Sequence, residues 1–262
     1  MLEIANVNKT FRSLGRAKNH ALNDVSLTVP DGAVVGLVGE SGSGKSTLLR
    51  ILMRLEAADS GSVLLDGEDV LSLRGARLKQ YRRRVQMVFQ NPMGSLSPRR
   101  TIEQIVAEGM ITHGLYGSAA GRSERVGELL ELVGLDRSAA GRYPASFSGG
   151  QRQRIAIARA LAVDPQVLVC DEAVSALDVS IQAQILNLLK DMHDELGLSI
   201  LFVAHDLAVV RYLCPYVAVL QRGVLVEQGR AEQIFDAPVH PYTRELLDAV
   251  PVPDPDAGWL TR

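Results

Sequence analysis

The run Gly39-Glu40-Ser41-Gly42-Ser43-Gly44-Lys45-Ser46-Thr47 fits the spacing G-x-x-x-x-G-K-[ST]. A glycine-rich turn between a strand and a helix points successive backbone N–H groups into one concavity, at the positive end of the helix dipole. That concavity suits a triphosphate. From it Lys45 reaches β- and γ-phosphates, and the Ser46 hydroxyl is placed to ligate Mg²⁺. The plain alternative is a tight turn that happens to carry a lysine. Context argues against it: Ala33-Val34-Val35-Gly36-Leu37-Val38 upstream reads as a buried strand, and the residues from Leu48 to Leu55 read as a helix without Gly or Pro.

A second pair of reactive residues follows a buried run. Val167-Leu168-Val169-Cys170 leads into Asp171-Glu172, two acids at the C-terminal end of a strand. In a parallel sheet that edge faces the phosphate loop. Asp171 is then placed to hold Mg²⁺ and Glu172 to accept a proton from an attacking water. One acid there would read as a helix N-cap; two beside a phosphate loop read better as metal ligand and base. Ser148-Gly149-Gly150-Gln151 opens a strong helix pattern and is a second anion-binding end or simply a well-capped helix. Capping alone does not choose.

The positioning elements are an alternation of strands and helices. Residues 2–7, 25–29 and 34–38 read as strands, with 10–20 as an exposed loop. Residues 62–65 and 85–89 are further strand candidates, and 92–165 has the texture of an inserted helical lobe, including a helix over 124–133. Apolar runs at 167–170 and 200–203 precede helical segments, as in a parallel α/β sheet. Between them Ile181, Ile185, Leu188, Leu189, Met192 and Leu196 form a stripe expected to be core. Residues 217–220 and 224–226 flank Arg222-Gly223 as a hairpin, and the tail with Pro251, Pro253 and Pro255 is expected to be irregular.

Bulk properties narrow the class. The 262 residues exceed a typical single domain and allow one large α/β domain with an inserted lobe. Lys plus Arg is 28 against 30 for Asp plus Glu, a net charge of −2 that argues against a general nucleic-acid binder. Arg82-Arg83-Arg84 reads as a solvated strand or helix edge. Two cysteines, Cys170 and Cys214, lack C-x-x-C spacing, so neither a metal site nor a disulfide framework is expected. No run approaches the length of a membrane span, and Met1-Leu2-Glu3-Ile4 does not open a signal peptide.

Taken in order, these motifs resemble the ATP-binding cassette (ABC) ATPases over nearly the whole chain. Phe147-Ser148-Gly149-Gly150-Gln151 is similar to their LSGGQ signature and stands between the phosphate loop and the Asp-Glu strand end. Gln90 after Val88-Phe89 matches the Q-loop, Ser175-Ala176-Leu177-Asp178 the D-loop, and His205 after Phe202-Val203-Ala204 the switch histidine. Phe11 lies where these proteins stack an aromatic on adenine. The resemblance implies a P-loop NTPase (RecA-like) α/β core with an antiparallel β subdomain and an inserted α-helical subdomain. One nucleotide-binding domain would span 1–250, with core and β subdomain in 1–91 and 166–250, the helical subdomain in 92–165, and an irregular tail over 251–262.

The same resemblance implies an ATPase in which two cassettes face head to tail. Ser148, Gly149, Gly150, Gln151 and Asp178 would then serve the partner's nucleotide, His205 would hold the γ-phosphate, and Gln90 would touch Mg²⁺ and water. Two departures stand out. Phe147 replaces the usual Leu, an exchange between buried apolar residues. Ala173 and Val174 replace a common Pro and Thr after Glu172, which frees φ and restores an N–H without removing a reacting group.

The run from Gln90 to Arg99, the D-loop with Val179-Ser180, and His240-Pro241-Tyr242-Thr243-Arg244-Glu245-Leu246-Leu247 are similar to the oligopeptide, dipeptide and nickel importer branch. Some of its members bind an iron–sulfur cluster near the C-terminus; this sequence has no cysteine after Cys214, so none is expected. The branch implies a second ATPase subunit (a heterodimer, with a homodimer as alternative) and two transmembrane permease subunits docked near 90–100. It also implies an extracytoplasmic solute-binding protein and a peripheral place on the cytoplasmic face of the inner membrane. Alternatives are a nickel or other small-solute importer, or a soluble ABC ATPase of DNA repair or translation. A regulatory module without turnover ranks last, since Glu172 and His205 are present.

Overall fold

The computed structural model describes residues 1–11 and 19–249. Strands β1 (Leu2–Phe11) and β2 (Asn19–Val29) form a hairpin, and β3 (Val34–Val38) leads through the phosphate loop into α1 (Lys45–Leu52). Next come β4 (Ser60–Leu65), the short β5 (Glu68–Asp69), α2 (Gly75–Arg84) and β6 (Val85–Val88). Helices α3 (Pro92–Ser95), α4 (Ile102–His113), α5 (Ala119–Leu132) and α6 (Gly149–Leu161) precede β7 (Val167–Asp171). The chain closes with α7 (Val179–Leu196), β8 (Ser199–Ala204), α8 (Leu207–Leu213), β9 (Tyr216–Gln221), β10 (Val224–Arg230), α9 (Ala231–Asp236) and α10 (Pro241–Asp248).

Two sheets result. The first is antiparallel in the order β2-β1-β4-β5; the second runs β10-β9-β3-β8-β7-β6. In the second sheet β9, β3, β8, β7 and β6 pair in parallel and only β10 is antiparallel, on β9. Alternation along each central strand assigns its two faces to two cores. Leu201 and Val203 of β8 pack with β1, β2 and α1, whereas Ile200, Phe202 and Ala204 pack with the helices from α4 onward. The sheet is therefore filled on both sides, and its polar business is confined to strand ends.

Several elements differ from their sequence reading. Strands expected over 2–7 and 25–29 extend to Phe11 and back to Asn19. The cause is a bulged stretch: Asn6 and Asp24 take positive φ of 51° and 55°, and the β1–β2 register shifts there. Asn6 donates to Asp24 Oδ1 at 2.8 Å, and the Asp24 N–H donates to Asn8 Oδ1 at 2.9 Å, so polar residues sit where alternation predicts none. Part of the loop expected over 10–20 is thus strand, and its middle falls outside the described residues, as does the proline tail. The stripe on α7 is core at Ile185, Leu188, Leu189 and Met192, but Leu196 in the last turn is 49% exposed. The strand at 85–89 stops at Val88, with Phe89 exposed.

The arginine run ends α2, where cations complement the helix dipole. Arg83 donates to the Val163 carbonyl at 3.0 Å and Arg84 to Gln166 Oε1 at 2.7 Å, so this edge is tied to the turn before β7. Cys170 and Cys214 are unpaired and buried, and burial pushes the Cys170 thiol up to about 12. Among the described residues no helix is long and apolar enough to cross a membrane.

One contact tests the packing of β3. A Cβ on Gly36 would lie 2.6 Å from Val210 Cγ1 and 3.1 Å from Cys214 Sγ, with α8 pressed on the strand. Gly36→Ala should therefore destabilise the nucleotide-free chain by about 1–3 kcal/mol. An unchanged denaturant midpoint would mean that α8 yields more easily than its packing indicates.

Candidate functional site

The phosphate loop hangs from a strand buried at every residue. Its glycines are required by space as well as by turn. Gly39 has φ 153°, and a Cβ there would lie 2.1 Å from the Leu220 carbonyl oxygen; at Gly44, with φ 113°, it would meet the Ala21 carbonyl at 2.5 Å. Gly44 is also the N-cap of α1, and no side chain caps that helix. Its first N–H groups are thus left for an external acceptor. Ser41, Gly42, Ser46 and Thr47 line the same opening.

Lys45 is only 6% exposed. Its ammonium donates to the carbonyls of Gly39 at 2.5 Å and Glu40 at 2.9 Å, with Ser43 Oγ at 3.5 Å. Burial lowers its pKa, while the charges of Glu172, Asp171 and Glu40 oppose that shift. A cation in a partly dry loop, balanced by carbonyls and distant acids, is a strong receptor for phosphate oxygens.

The acids sit where the sheet places them. Asp171 ends β7 in register with Val203 of β8, half-buried. Burial raises its pKa, Glu172 beside it adds to the rise, and Lys45 works against it. Glu172 adopts a left-handed φ of 46°, unusual for a residue with a Cβ. Its backbone is pinned: the N–H donates to the Val203 carbonyl at 2.9 Å, and its carbonyl accepts from Ser175 N–H at 3.1 Å and Oγ at 3.0 Å. Buried Ala173 and Val174 fill the turn that follows.

Strand ends bring the other reactive side chains to that carboxylate. Gln90, beyond β6, donates from Nε2 to Glu172 Oε2 at 2.7 Å and to Ser175 Oγ at 3.2 Å. His205, beyond β8, places Nδ1 3.4 Å from the same Oε2. Three residues separated widely in sequence thus meet at the ends of three adjacent strands.

A groove of about 460 Å³ joins the phosphate loop and Glu172 to Phe11 at the end of β1. Phe11 is 37% exposed, and Lys9 Nζ lies 5.1 Å from its ring centroid. His20 and Arg222 also line this groove and were missed by sequence reading. Arg222 has a signal only as a turn residue; its place is set by Gly223, whose N–H donates to the Ser43 carbonyl and whose carbonyl accepts the Asn23 N–H, both at 2.7 Å. The β9–β10 turn therefore clasps the phosphate loop to β2. Ser175 as a support of Gln90 was likewise not foreseen.

The signature residues stand apart from this groove. Ser148 is the N-cap of α6: its Oγ accepts the Gln151 N–H at 3.3 Å, and Gln151 Oε1 accepts the Ser148 N–H at 3.0 Å. Ser148, Gly149 and Gln151 are exposed. Gly150 is buried, and a Cβ there would lie 2.4 Å from Ile181 Cγ2. Asp178 is exposed at the start of α7 without making a side-chain cap. Neither Asp178 nor any of Ser148–Gln151 is part of the groove's lining.

The electrostatics make a test. An acid whose folded pKa is raised costs nothing below its unfolded value of 3.8, destabilises the fold increasingly as pH rises through the folded pKa, and does so fully above it. In nucleotide- and metal-free chain, Asp171→Asn should therefore raise the unfolding midpoint at neutral pH. The gain should vanish as pH falls through the Asp171 titration. A gain independent of pH would rule out charge as its cause.

Comparison with known proteins agrees with this geometry. Residues 22–175 match the family model described as ABC transporter, and residues 226–262 the model described as oligopeptide/dipeptide transporter, C-terminal region. The chain is 48% identical to the dipeptide transport ATP-binding protein DppF of Lactococcus lactis over 97% of its own length and 82% of that protein's. It is 49% identical to the oligopeptide transport ATP-binding protein OppF of Bacillus subtilis, over 98% and 84%. A dimeric ATP-binding cassette in a post-hydrolysis state, bound to ADP and Pi, superposes with a TM-score of 0.79 at 33% identity, covering 88% of this chain and 99% of that one. The chain belongs to the ABC transporter family and is an ATP-binding cassette of α/β P-loop NTPase fold.

Proposed function

We propose that the chain is the ATP-hydrolysing subunit of a bacterial importer of oligopeptides or dipeptides. The observation that carries the ATPase reading is the meeting of Gln90 and His205 on the Glu172 carboxylate, at one end of a groove whose other parts are a phosphate loop and an exposed aromatic. The solute class is supported by the C-terminal family match and by relatives named as dipeptide and oligopeptide transport proteins.

In this reading Phe11 stacks on adenine. The N–H groups of Gly39, Ser41, Gly42, Ser43, Gly44, Ser46 and Thr47, with Lys45, hold the phosphates. The Ser46 hydroxyl, the Gln90 amide and the Asp171 carboxylate form a hard oxygen donor set that fits Mg²⁺. Burial and the neighbouring Glu172 raise the Asp171 pKa, and a dication held beside it would offset both. Bound there, Mg²⁺ would supply positive charge against the phosphates. Glu172 takes a proton from water while the water oxygen bonds to the γ-phosphorus; the bond from that phosphorus to the bridging oxygen breaks, releasing ADP and phosphate. Gln90 orients the water and His205 holds the γ-phosphate.

Ser148, Gly149, Gly150, Gln151 and Asp178 act on a second cassette's nucleotide. The exposure of Ser148, Gly149, Gln151 and Asp178, and the separation of all five residues from the chain's own groove, support this, as does the dimeric state named for the structural relative. That second ATPase subunit is a different chain in the favoured arrangement, and the same chain in the alternative. Two transmembrane permease subunits dock near 90–100, an extracytoplasmic solute-binding protein delivers cargo, and the cassette lies on the cytoplasmic face of the inner membrane. Its domain division follows the core, β-subdomain and helical-lobe ranges given above.

Glu172→Gln should retain ATP binding and lose about 10²-fold or more in turnover. Undiminished hydrolysis by the purified mutant complex would remove Glu172 from the role of base. Ser148→Arg should disable the partner's site more than its own. Nucleotide trapping at each site of the assembled complex reads this directly, and equal loss at both sites would contradict donation in trans.

A further inference from the structure

Tyr242 lies in the first turn of α10, far in sequence from the phosphate loop, yet its phenol oxygen accepts the Glu40 N–H at 3.0 Å. The same peptide unit carries the Gly39 carbonyl, which accepts the Lys45 ammonium at 2.5 Å. A trans peptide is a rigid plate whose N–H and C=O point to opposite sides. One end of this plate is therefore held by α10 and the other holds the lysine.

The anchor is itself well fixed. Tyr242 is buried, and the turn that leads into it is tied down by Glu227 of β10. That carboxylate accepts the Val239 N–H at 2.8 Å and the His240 N–H at 3.0 Å, and His240 Nδ1 accepts the Tyr242 N–H at 3.2 Å. Pro241 starts the helix with its φ already set. Behind the loop, Glu40, Arg222, Tyr242 and Glu245 border a polar cavity of about 300 Å³. On that side a hydrogen bond, not apolar packing, sets the orientation of the peptide.

We propose that Tyr242 is a positioning residue for Lys45: it fixes the peptide between Gly39 and Glu40, and through that peptide the ammonium at the phosphate loop. Nucleotide affinity in this chain thus depends on its C-terminal segment. The inference rests on the groove being the ATP site. Without the phenol oxygen the plate can rotate, the Gly39 carbonyl leaves Lys45, and binding common to ground state and transition state is lost. Such a loss appears in KM and not in kcat.

Tyr242→Phe keeps the ring and removes the acceptor. In the full chain it should weaken ATP binding about two- to tenfold, the worth of one net hydrogen bond. In the assembled complex KM should rise by a similar factor with kcat little changed. In a Lys45→Ala background, measured at raised nucleotide concentration, the same change should have no further effect. Unaltered affinity in Tyr242→Phe, or an equal loss in both backgrounds, overturns the proposal. Hydrogen exchange of the Glu40 amide in unmutated, nucleotide-free chain gives a check independent of any variant's folding: slow exchange supports the tether, and exchange at the unstructured rate refutes it. If Lys45→Ala alone binds ATP like the unmutated chain, the nucleotide-site reading itself fails. Weakened Lys45→Ala with unaffected Tyr242→Phe removes only the positioning role.

Discussion

The parallel pairing of β3 with both β8 and β9 is the constraint on which the rest of the molecule depends. With neighbours on both edges and cores on both faces, β3 has one register available to it, because a one-residue slip would exchange its faces. That register decides where Gly39 begins, and hence that its α-carbon passes against the Leu220 carbonyl where no Cβ fits. It also sets β8, which sets β7, so that Asp171 and Glu172 end beside Val203 and His205 follows one residue after β8. The reacting groups are spread over much of the sequence, but their relative positions are those of adjacent strand ends.

The electrostatics show a site arranged before its ligands arrive. Lys45 is buried among loop carbonyls, burial and a neighbouring carboxylate raise the Asp171 pKa, and Glu172 sits in a left-handed conformation. Each arrangement is unfavourable for the folded chain alone. Together they place a cation and two acids around one groove, where a triphosphate would find partners of both kinds. The surrounding sheet supplies the stability that lets this persist.

How much of this was legible in the sequence depended on whether a feature is contiguous. The phosphate loop, the Asp171-Glu172 pair and Ser148-Gly149-Gly150-Gln151 announce themselves because each is a short run whose chemistry follows from its spacing. Gln90 and His205 are single residues at strand ends; only the order of motifs singled them out, and the structure then placed both on one carboxylate. His20 gave no such sign, Arg222 read only as a turn residue, and Tyr242 only as part of the run that resembles the importer branch. Their positions come from long-range pairing, the β9–β10 turn on Ser43 and α10 on Glu40, which no local pattern encodes. The same holds for β1 and β2. Their bulge at Asn6 and Asp24 hides two long strands behind polar residues.

The contact between Gly150 and Ile181 has a mechanical consequence. Because the start of α6 presses on the first turn of α7 with no room for a methyl group, neither helix end can shift toward the other at that point. From that contact the chain runs back through Asp178, Leu177 and Ser175 to Glu172, whose carbonyl Ser175 holds. In an assembly of two cassettes, a push received at the exposed tip of α6 would therefore reach the backbone that holds Glu172.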